Sequence, residues 1–149
     1  MNLAEKLSIS FAVFFFVAGL VTGIWKYIAI VRSEKALAPV YVDILHRATL
    51  LYSFACMILF ALSGLSVYSE AVNVAAVLAI VIFFVFANIT YLLHALLKDT
   101  DNQFEKSYRL GKYRLPAFLF HGPMLALIAG ELGGTLVLAA GALTGVWGL

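Results

Sequence analysis

The sequence predicts an all-α integral membrane protein, folded as a four-helix bundle, and two observations lead to this prediction. Hydrophobic residues make up 64% of the 149 residues and charged residues only 12%, compared with roughly 45–50% and 25% in an ordinary soluble domain. The apolar residues form four long stretches separated by charged residues, and each exceeds the about 20 residues that a helix needs to cross a bilayer. We therefore expect one transmembrane domain over residues 1–149, surrounded mainly by membrane lipid.

Each predicted span rests on a long, mainly apolar stretch. The first has no basic start followed by a small-residue cleavage site, so we expect it to be retained rather than removed as a signal peptide. Runs such as Phe11-Ala-Val-Phe-Phe-Phe-Val17 in the first span and Val81-Ile-Phe-Phe-Val-Phe86 in the third are continuously apolar, which excludes the alternating polarity of β-barrel strands. The fourth holds Pro123, which predicts a kink near His121 if that helix already starts at Pro116. The predicted spans are residues 7–31, 41–67, 72–97 and 115–149.

The basic residues predict how the chain is oriented. Nine of the ten lysines and arginines flank the first and third connections, and Lys6 is the exception. By the positive-inside rule both connections face the cytoplasm, which places the N and C termini outside the inner (plasma) membrane. The third connection, residues 98–114, is the long polar segment of the chain, and we expect it to fold at the cytoplasmic interface.

Several functional classes are excluded by composition. The net charge is only +2 and no run of like charges occurs, so nucleic acid is not an expected partner. The single cysteine, Cys56, has no partner for an internal disulfide or a thiolate metal cluster. No internal repeat supports an inverted-repeat transporter.

Three histidines predict a cofactor site. His46, His94 and His121 lie on the second, third and fourth predicted spans, within about 5–9 Å of the cytoplasmic end by helical rise. We expect imidazoles from this layer to converge on a metal or haem iron, and the absence of two histidines on one helix face favours one or two ligands over three. The alternative is that each histidine caps or hydrogen-bonds a neighbouring helix.

Two charged residues accompany His46 on one turn of the second span. Asp43 and Arg47 are four residues apart and are able to pair. In the cofactor hypothesis, Asp43 orients the His46 imidazole and Arg47 receives a haem propionate or another anion. The alternative is an interfacial salt bridge at a helix end.

Further polar residues lie deeper in the predicted spans. Asn88 and Tyr91 are three residues apart on the third span, and with Tyr52 of the second span they are predicted to line a cavity that holds a substrate oxygen. Interhelical hydrogen bonding is the alternative. Glu131, in the fourth span, is interpreted either as a proton-active or protonated acid or as an interhelical contact between glycines.

These residues resemble the styrene oxide isomerases, a family of small four-span membrane enzymes, over about the last two-thirds of the chain. The resemblance is carried by His46-Arg47, by Ala87-Asn-Ile-Thr-Tyr91, by the polar loop and by the small-residue-rich fourth span. It implies that His46 binds haem b, whose ferric iron acts as a Lewis acid in converting an epoxide to an aldehyde. It also implies a small apolar substrate oriented by Tyr91 and Asn88, and a trimer with haem between subunits.

Two other functional classes stay open at this point. A second axial histidine, His94 or His121, would close the iron to substrate and make the protein a bis-histidine electron carrier. A structural subunit of a larger membrane complex would bind no cofactor.

Overall fold

A computed structural model describes residues 1–148 as four long helices and a small hairpin. All four helices are long and apolar enough to cross a membrane, which confirms the predicted all-α membrane bundle. The elements are α1 (Leu3–Val31), α2 (Val40–Leu65), α3 (Glu70–Leu97), β1 (Arg109–Leu110), β2 (Tyr113–Arg114) and α4 (Ala117–Trp147).

The helix ends differ from the predicted spans by a few residues, and local caps explain two of the differences. α1 begins at Leu3 because Asn2 caps it: the Asn2 side chain accepts from the Glu5 amide at 2.8 Å, and Glu5 accepts from the Asn2 amide at 2.6 Å. α4 begins just after Pro116, which has no amide hydrogen to leave unpaired. Pro123 therefore lies inside the helix.

The helices run alternately up and down, so the connections divide between two ends. At one end the start of α1 contacts the end of α2 and the start of α3: Asn2 Nδ2 donates to the Ser63 carbonyl at 3.3 Å, and the Leu3 amide donates to Glu70 at 2.6 Å. The opposite end carries the α1–α2 connection and the polar loop. It therefore also carries nine of the ten basic residues.

The core lies where α1, α2 and α3 meet, and it is built largely from small and β-branched residues. Phe15, Cys56, Val77 and Ile80 are buried there, together with Leu138 of α4. Large apolar side chains such as Phe14 and Val21 are exposed on the outside of α1. In a membrane these side chains face lipid, so their exposure is expected.

The polar loop folds back over one end of the bundle. Its strands pair antiparallel, with Arg109 opposite Arg114, around a two-residue turn that begins at Gly111. Gly111 has a φ of +60°, a conformation that glycine adopts without a steric penalty. The amide of Gln103 donates to the Tyr41 hydroxyl of α2 at 2.6 Å. The loop is therefore a folded cover over this end, as its composition predicted.

Candidate functional site

His46 lies on α2 against the small residues of α1. Its Nδ1 atom is 3.0 Å from the Gly19 carbonyl oxygen. A carbonyl only accepts, so Nδ1 carries the proton, and in the neutral ring the lone pair is on Nε2. The ring sits over Gly23, where an added Cβ would come within 2.9 Å of His46 Cε1. A glycine at 23 thus provides the space that the imidazole fills.

The predicted ion pair beside His46 is present, but it does not orient the imidazole. Asp43 accepts from Arg47 at 2.7 Å and from Lys26 of α1 at 2.6 Å. The prediction that Asp43 orients the His46 imidazole is wrong. The two carboxylate oxygens of Asp43 bind Lys26 and Arg47, and the Gly19 carbonyl accepts the hydrogen bond from His46 Nδ1. Lys26 and Gly19 could not be found as partners from the sequence, since they lie on a different helix.

His94 is buried and bonded to the loop. Its Nδ1 atom is 2.8 Å from Asp99 Oδ1, and its ring lies 4.8 Å from the Tyr41 ring between centroids. Lys98, in the left-handed conformation at the end of α3, turns the chain so that Asp99 approaches His94 from only five residues away. The other Asp99 oxygen accepts from the Gly111 amide at 2.5 Å.

The Asp99 carboxyl has a lowered pKa. Burial raises the pKa of this group by desolvation, but the hydrogen bonds from His94 and from the Gly111 amide outweigh that effect. The net shift is below the ordinary value of 3.8. Asp99 is therefore the charged anchor between α3 and the hairpin.

The three histidines do not form one metal site. His121 is exposed and its Nε2 atom lies 2.9 Å from the Tyr108 hydroxyl, whereas His46 and His94 bond to Gly19 and Asp99. Within residues 1–148 no three His, Cys, Asp or Glu side chains group closely enough to hold a metal ion. The prediction that the three imidazoles converge on one metal is thus not what the structure shows, because the rotation of each helix turns its histidine toward a different neighbour.

Asn88 is also turned away from its predicted partners. Its Oδ1 accepts from Thr49 of α2, and its Nδ2 donates to the Phe84 carbonyl at 3.1 Å. It lines a crevice with residues of α1 and α2. The prediction that Asn88 joins Tyr52 and Tyr91 in one cavity is wrong, and the interhelical hydrogen bond is what the structure shows.

Tyr52 and Tyr91 do share a cavity, which lies between α2, α3, α4 and the loop. Its volume is about 290 Å³, and its lining combines apolar walls with a few polar groups. Tyr52 stacks on Phe84 with ring centroids 4.2 Å apart. The polar lining residues are Tyr52, Thr90, Tyr91, His94, Gln103 and Arg109.

Some polar groups in and near this cavity lack partners. Gln103 Oε1 is buried with no hydrogen bond. Arg109 forms no ion pair in the part of the chain that the structure describes. Glu131 Oε1 is likewise buried and unpaired, one helical turn beyond the lining residue Leu127. Gln103 and Arg109 were not predicted as site residues, because no local sequence pattern indicates that the loop folds over α3 and α4.

Comparison with models of known protein families, with characterised proteins and with solved structures finds no match to this chain. The resemblance to the styrene oxide isomerases rests on the residues quoted for it above. The chemistry of the described side chains is the basis for the functional proposals.

Proposed function

We propose that this integral membrane protein binds haem b, or another metal centre, through Nε2 of His46. The observation that carries the proposal is the contact between His46 Nδ1 and the Gly19 carbonyl. Metal-binding histidines commonly donate their second ring nitrogen to a carbonyl or carboxylate, which fixes the tautomer and the ring orientation. His46 has that arrangement within a membrane-spanning helix.

The surroundings of His46 also support this fit. The ring rests on Gly23 and is only half-buried, so the side chain is not enclosed by the helix pair. The Arg47 side chain is 65% exposed and lies one residue further along α2. Its guanidinium is available to an anionic group such as a propionate, although it also pairs with Asp43.

As the activity of such a site we propose isomerisation of a small apolar epoxide to an aldehyde. Bound ferric haem would supply a Lewis acid that polarises the epoxide oxygen. Tyr91 and Tyr52 offer neutral hydroxyls that are able to orient a substrate oxygen within apolar walls. Asn88 is left out of this role because Thr49 and Phe84 engage its amide.

This activity also favours a homo-oligomer. His46 is not among the residues that line the cavity of Tyr52 and Tyr91. A substrate that reaches both would therefore lie where two subunits meet. A trimer, as the resemblance implies, is the assembly that we propose.

We further propose that the basic end of the bundle faces the cytoplasm, with both termini outside the plasma membrane. Support comes from the nine basic residues at this end, and from the acidic residues Glu5 and Glu70 at the other. The positive-inside rule gives the orientation.

An absorption spectrum of the purified protein reconstituted with haemin, oxidised and reduced, tests the proposal. We expect a five-coordinate haem with one open position. His46→Ala should abolish haem retention while the protein stays inserted, because the apolar spans are unchanged. A six-coordinate low-spin spectrum would favour the bis-histidine electron carrier. A colourless protein, or full haem occupancy in His46→Ala, would contradict the proposal and favour a cofactor-free structural subunit or another ligand.

A matched glycine pair tests the geometry without removing the ligand. Gly23→Ala should lower haem affinity by about 10- to 100-fold, the usual effect of disturbing a ligand's supporting contacts, because the new Cβ would stand 2.9 Å from His46 Cε1. Gly133→Ala is the control, since nothing lies within 4 Å of its Cβ position. Equal affinity in the two variants would show that the observed His46 position is not the one that binds haem.

A further inference from the structure

We infer that the cavity between α2, α3, α4 and the loop binds a small amphiphilic carboxylate, such as a medium-chain fatty acid. It concerns the cavity that is proposed above to orient a substrate oxygen, and it does not depend on haem. It rests on the cavity itself and on two polar groups, Gln103 and Arg109, that the protein brings to one end of it without giving them partners.

The cavity has the size and length for such a molecule. Its volume of about 290 Å³ is close to the lower limit of about 300 Å³ for small-molecule pockets. Along α3 its lining extends from Phe86 to His94, eight residue steps that span about 12 Å at the helical rise. A chain the length of octanoate suits this distance.

The charge at the loop end favours an anion. Arg109 lines the cavity, and none of the ion pairs within residues 1–148 involves it. A guanidinium binds a carboxylate through two parallel hydrogen bonds, so the carboxylate is the head group that best matches it. Three loop acids share a neighbouring pocket with Arg109. Asp99 is already engaged by His94 and by the Gly111 amide, and neither Asp101 nor Glu105 forms an ion pair with Arg109 within residues 1–148.

Gln103 strengthens this assignment. Its Oε1 atom is buried with no partner, and an unpaired buried amide is unfavourable. The two ends of a side-chain amide exchange by rotation, so the amide is able to present either its N–H group to a carboxylate or its oxygen to a carboxylic acid. Its backbone is held in place by the Tyr41 hydroxyl.

The opposite end of the cavity suits the apolar tail. Met124 and Leu127 of α4 line this end, farther along the helix from the loop than Leu119. Tyr52 lines the cavity from α2, farther along that helix from the loop end than Tyr41. A ligand therefore lies with its head at the polar loop and its tail in the membrane interior, the orientation that an amphiphile already has in a bilayer.

Photo-crosslinking of the full chain in lipid nanodiscs tests the inference. The probe is octanoate carrying a diazirine, with octanoate and the uncharged octanol as competitors. We expect crosslinks at cavity-lining residues between 86 and 127, and competition at least about tenfold stronger by octanoate than by octanol, because a hydrogen bond to a charged group is the stronger kind.

Two matched pairs of variants locate the site. Arg109→Gln should remove the preference for octanoate, whereas Arg114→Gln should keep it, because Arg114 is the cross-strand neighbour of Arg109 but does not line the cavity. Leu127→Trp should fill the cavity and abolish crosslinking. Leu132→Trp, at a position 58% exposed on the same helix, should leave crosslinking unchanged.

If Leu127→Trp fails to fold, the two variants at exposed arginines, Arg109→Gln and Arg114→Gln, still test the inference. Equal competition by octanol and octanoate in the unmodified protein would overturn the carboxylate assignment. Equal losses in Arg109→Gln and Arg114→Gln would show that overall charge, not this site, attracts the probe. Crosslinks confined to lipid-facing residues outside the cavity would overturn the site itself.

Discussion

Asp99→Asn is expected to release the loop from the end of the bundle. The side chain of Asp99 is 6% exposed and that of His94 is 5% exposed. The Asp99 carboxylate accepts from His94 Nδ1 at 2.8 Å and from the Gly111 amide at 2.5 Å. An asparagine has the same shape but only one acceptor oxygen, so one of the two donors would face an N–H group instead.

The magnitude follows from these two bonds. A hydrogen bond to a charged group contributes about 1.5–3 kcal/mol, and leaving a buried donor unpaired has a cost of about 1–3 kcal/mol. We expect the closed loop to lose about 2–3 kcal/mol. The population of the open loop should then rise by about 30- to 140-fold, since 1.4 kcal/mol corresponds to about tenfold.

Hydrogen exchange of the Gly111 amide at neutral pH, measured in nanodiscs, reports this opening. Asp101→Asn is the control, because Asp101 is exposed in the same loop and makes no side-chain hydrogen bond or ion pair in the described part of the chain. Exchange that is equally slow in Asp99→Asn and in the unmodified protein would refute the idea that this carboxylate anchors the loop.

The lowered pKa of Asp99 gives this anchor a pH dependence with a defined sign. A carboxyl whose folded pKa is depressed stabilises the fold at pH values above its ordinary pKa of 3.8. That contribution is lost as the pH falls through the lower, folded value. The Gly111 amide proton resonance should therefore titrate below about pH 4, and a Gly111 resonance that does not move there would contradict the assigned hydrogen bond.

Two further predictions concern topology and helix packing. In a background without the native cysteine, a cysteine placed at Ser69 should react with an impermeant maleimide added outside the cell, and a cysteine placed at Lys106 should not. The reverse labelling pattern would show that the proposed orientation is inverted. Thr49→Val removes the interhelical hydrogen bond to Asn88. Such bonds average about 0.6 and reach about 1.7 kcal/mol, so the free energy of unfolding in detergent should fall by about 1 kcal/mol. Thr90→Val is its control, because that hydroxyl donates within its own helix; equal effects would argue against the interhelical bond.

One contact of the candidate site that the sequence predicted correctly is a local one. Asp43 and Arg47 pair because residues four apart on a helix are neighbours whatever surrounds the helix. Tyr52 and Tyr91 line one cavity as predicted. The hydrogen bond from His94 to Asp99 joins residues only five apart, but it depends on the left-handed conformation of Lys98, which the sequence does not predict.

Asn88 and Tyr91 show where local reasoning fails. Residues three apart differ by about 60° around a helix, so they share a broad face. α3, however, contacts α1, α2 and α4, and a difference of this size is enough to place two residues at different interfaces. Asn88 turns to Thr49, and Tyr91 turns to the cavity.

By itself, the sequence determined that the chain is a four-helix membrane bundle, because the length and apolarity of each span depend only on composition along the chain. It also determined that nearly all the basic residues lie at one end, since alternate connections of an up-and-down bundle share an end. Only the tertiary structure decided which neighbour each polar residue contacts. Those contacts depend on the rotation of each helix about its axis, and spans that are apolar nearly all round carry little sequence signal for rotation. That rotation places His46 against Gly19 and turns His94 toward Asp99. The fold of the loop over α3 and α4 places Arg109 at a cavity that no local pattern predicts.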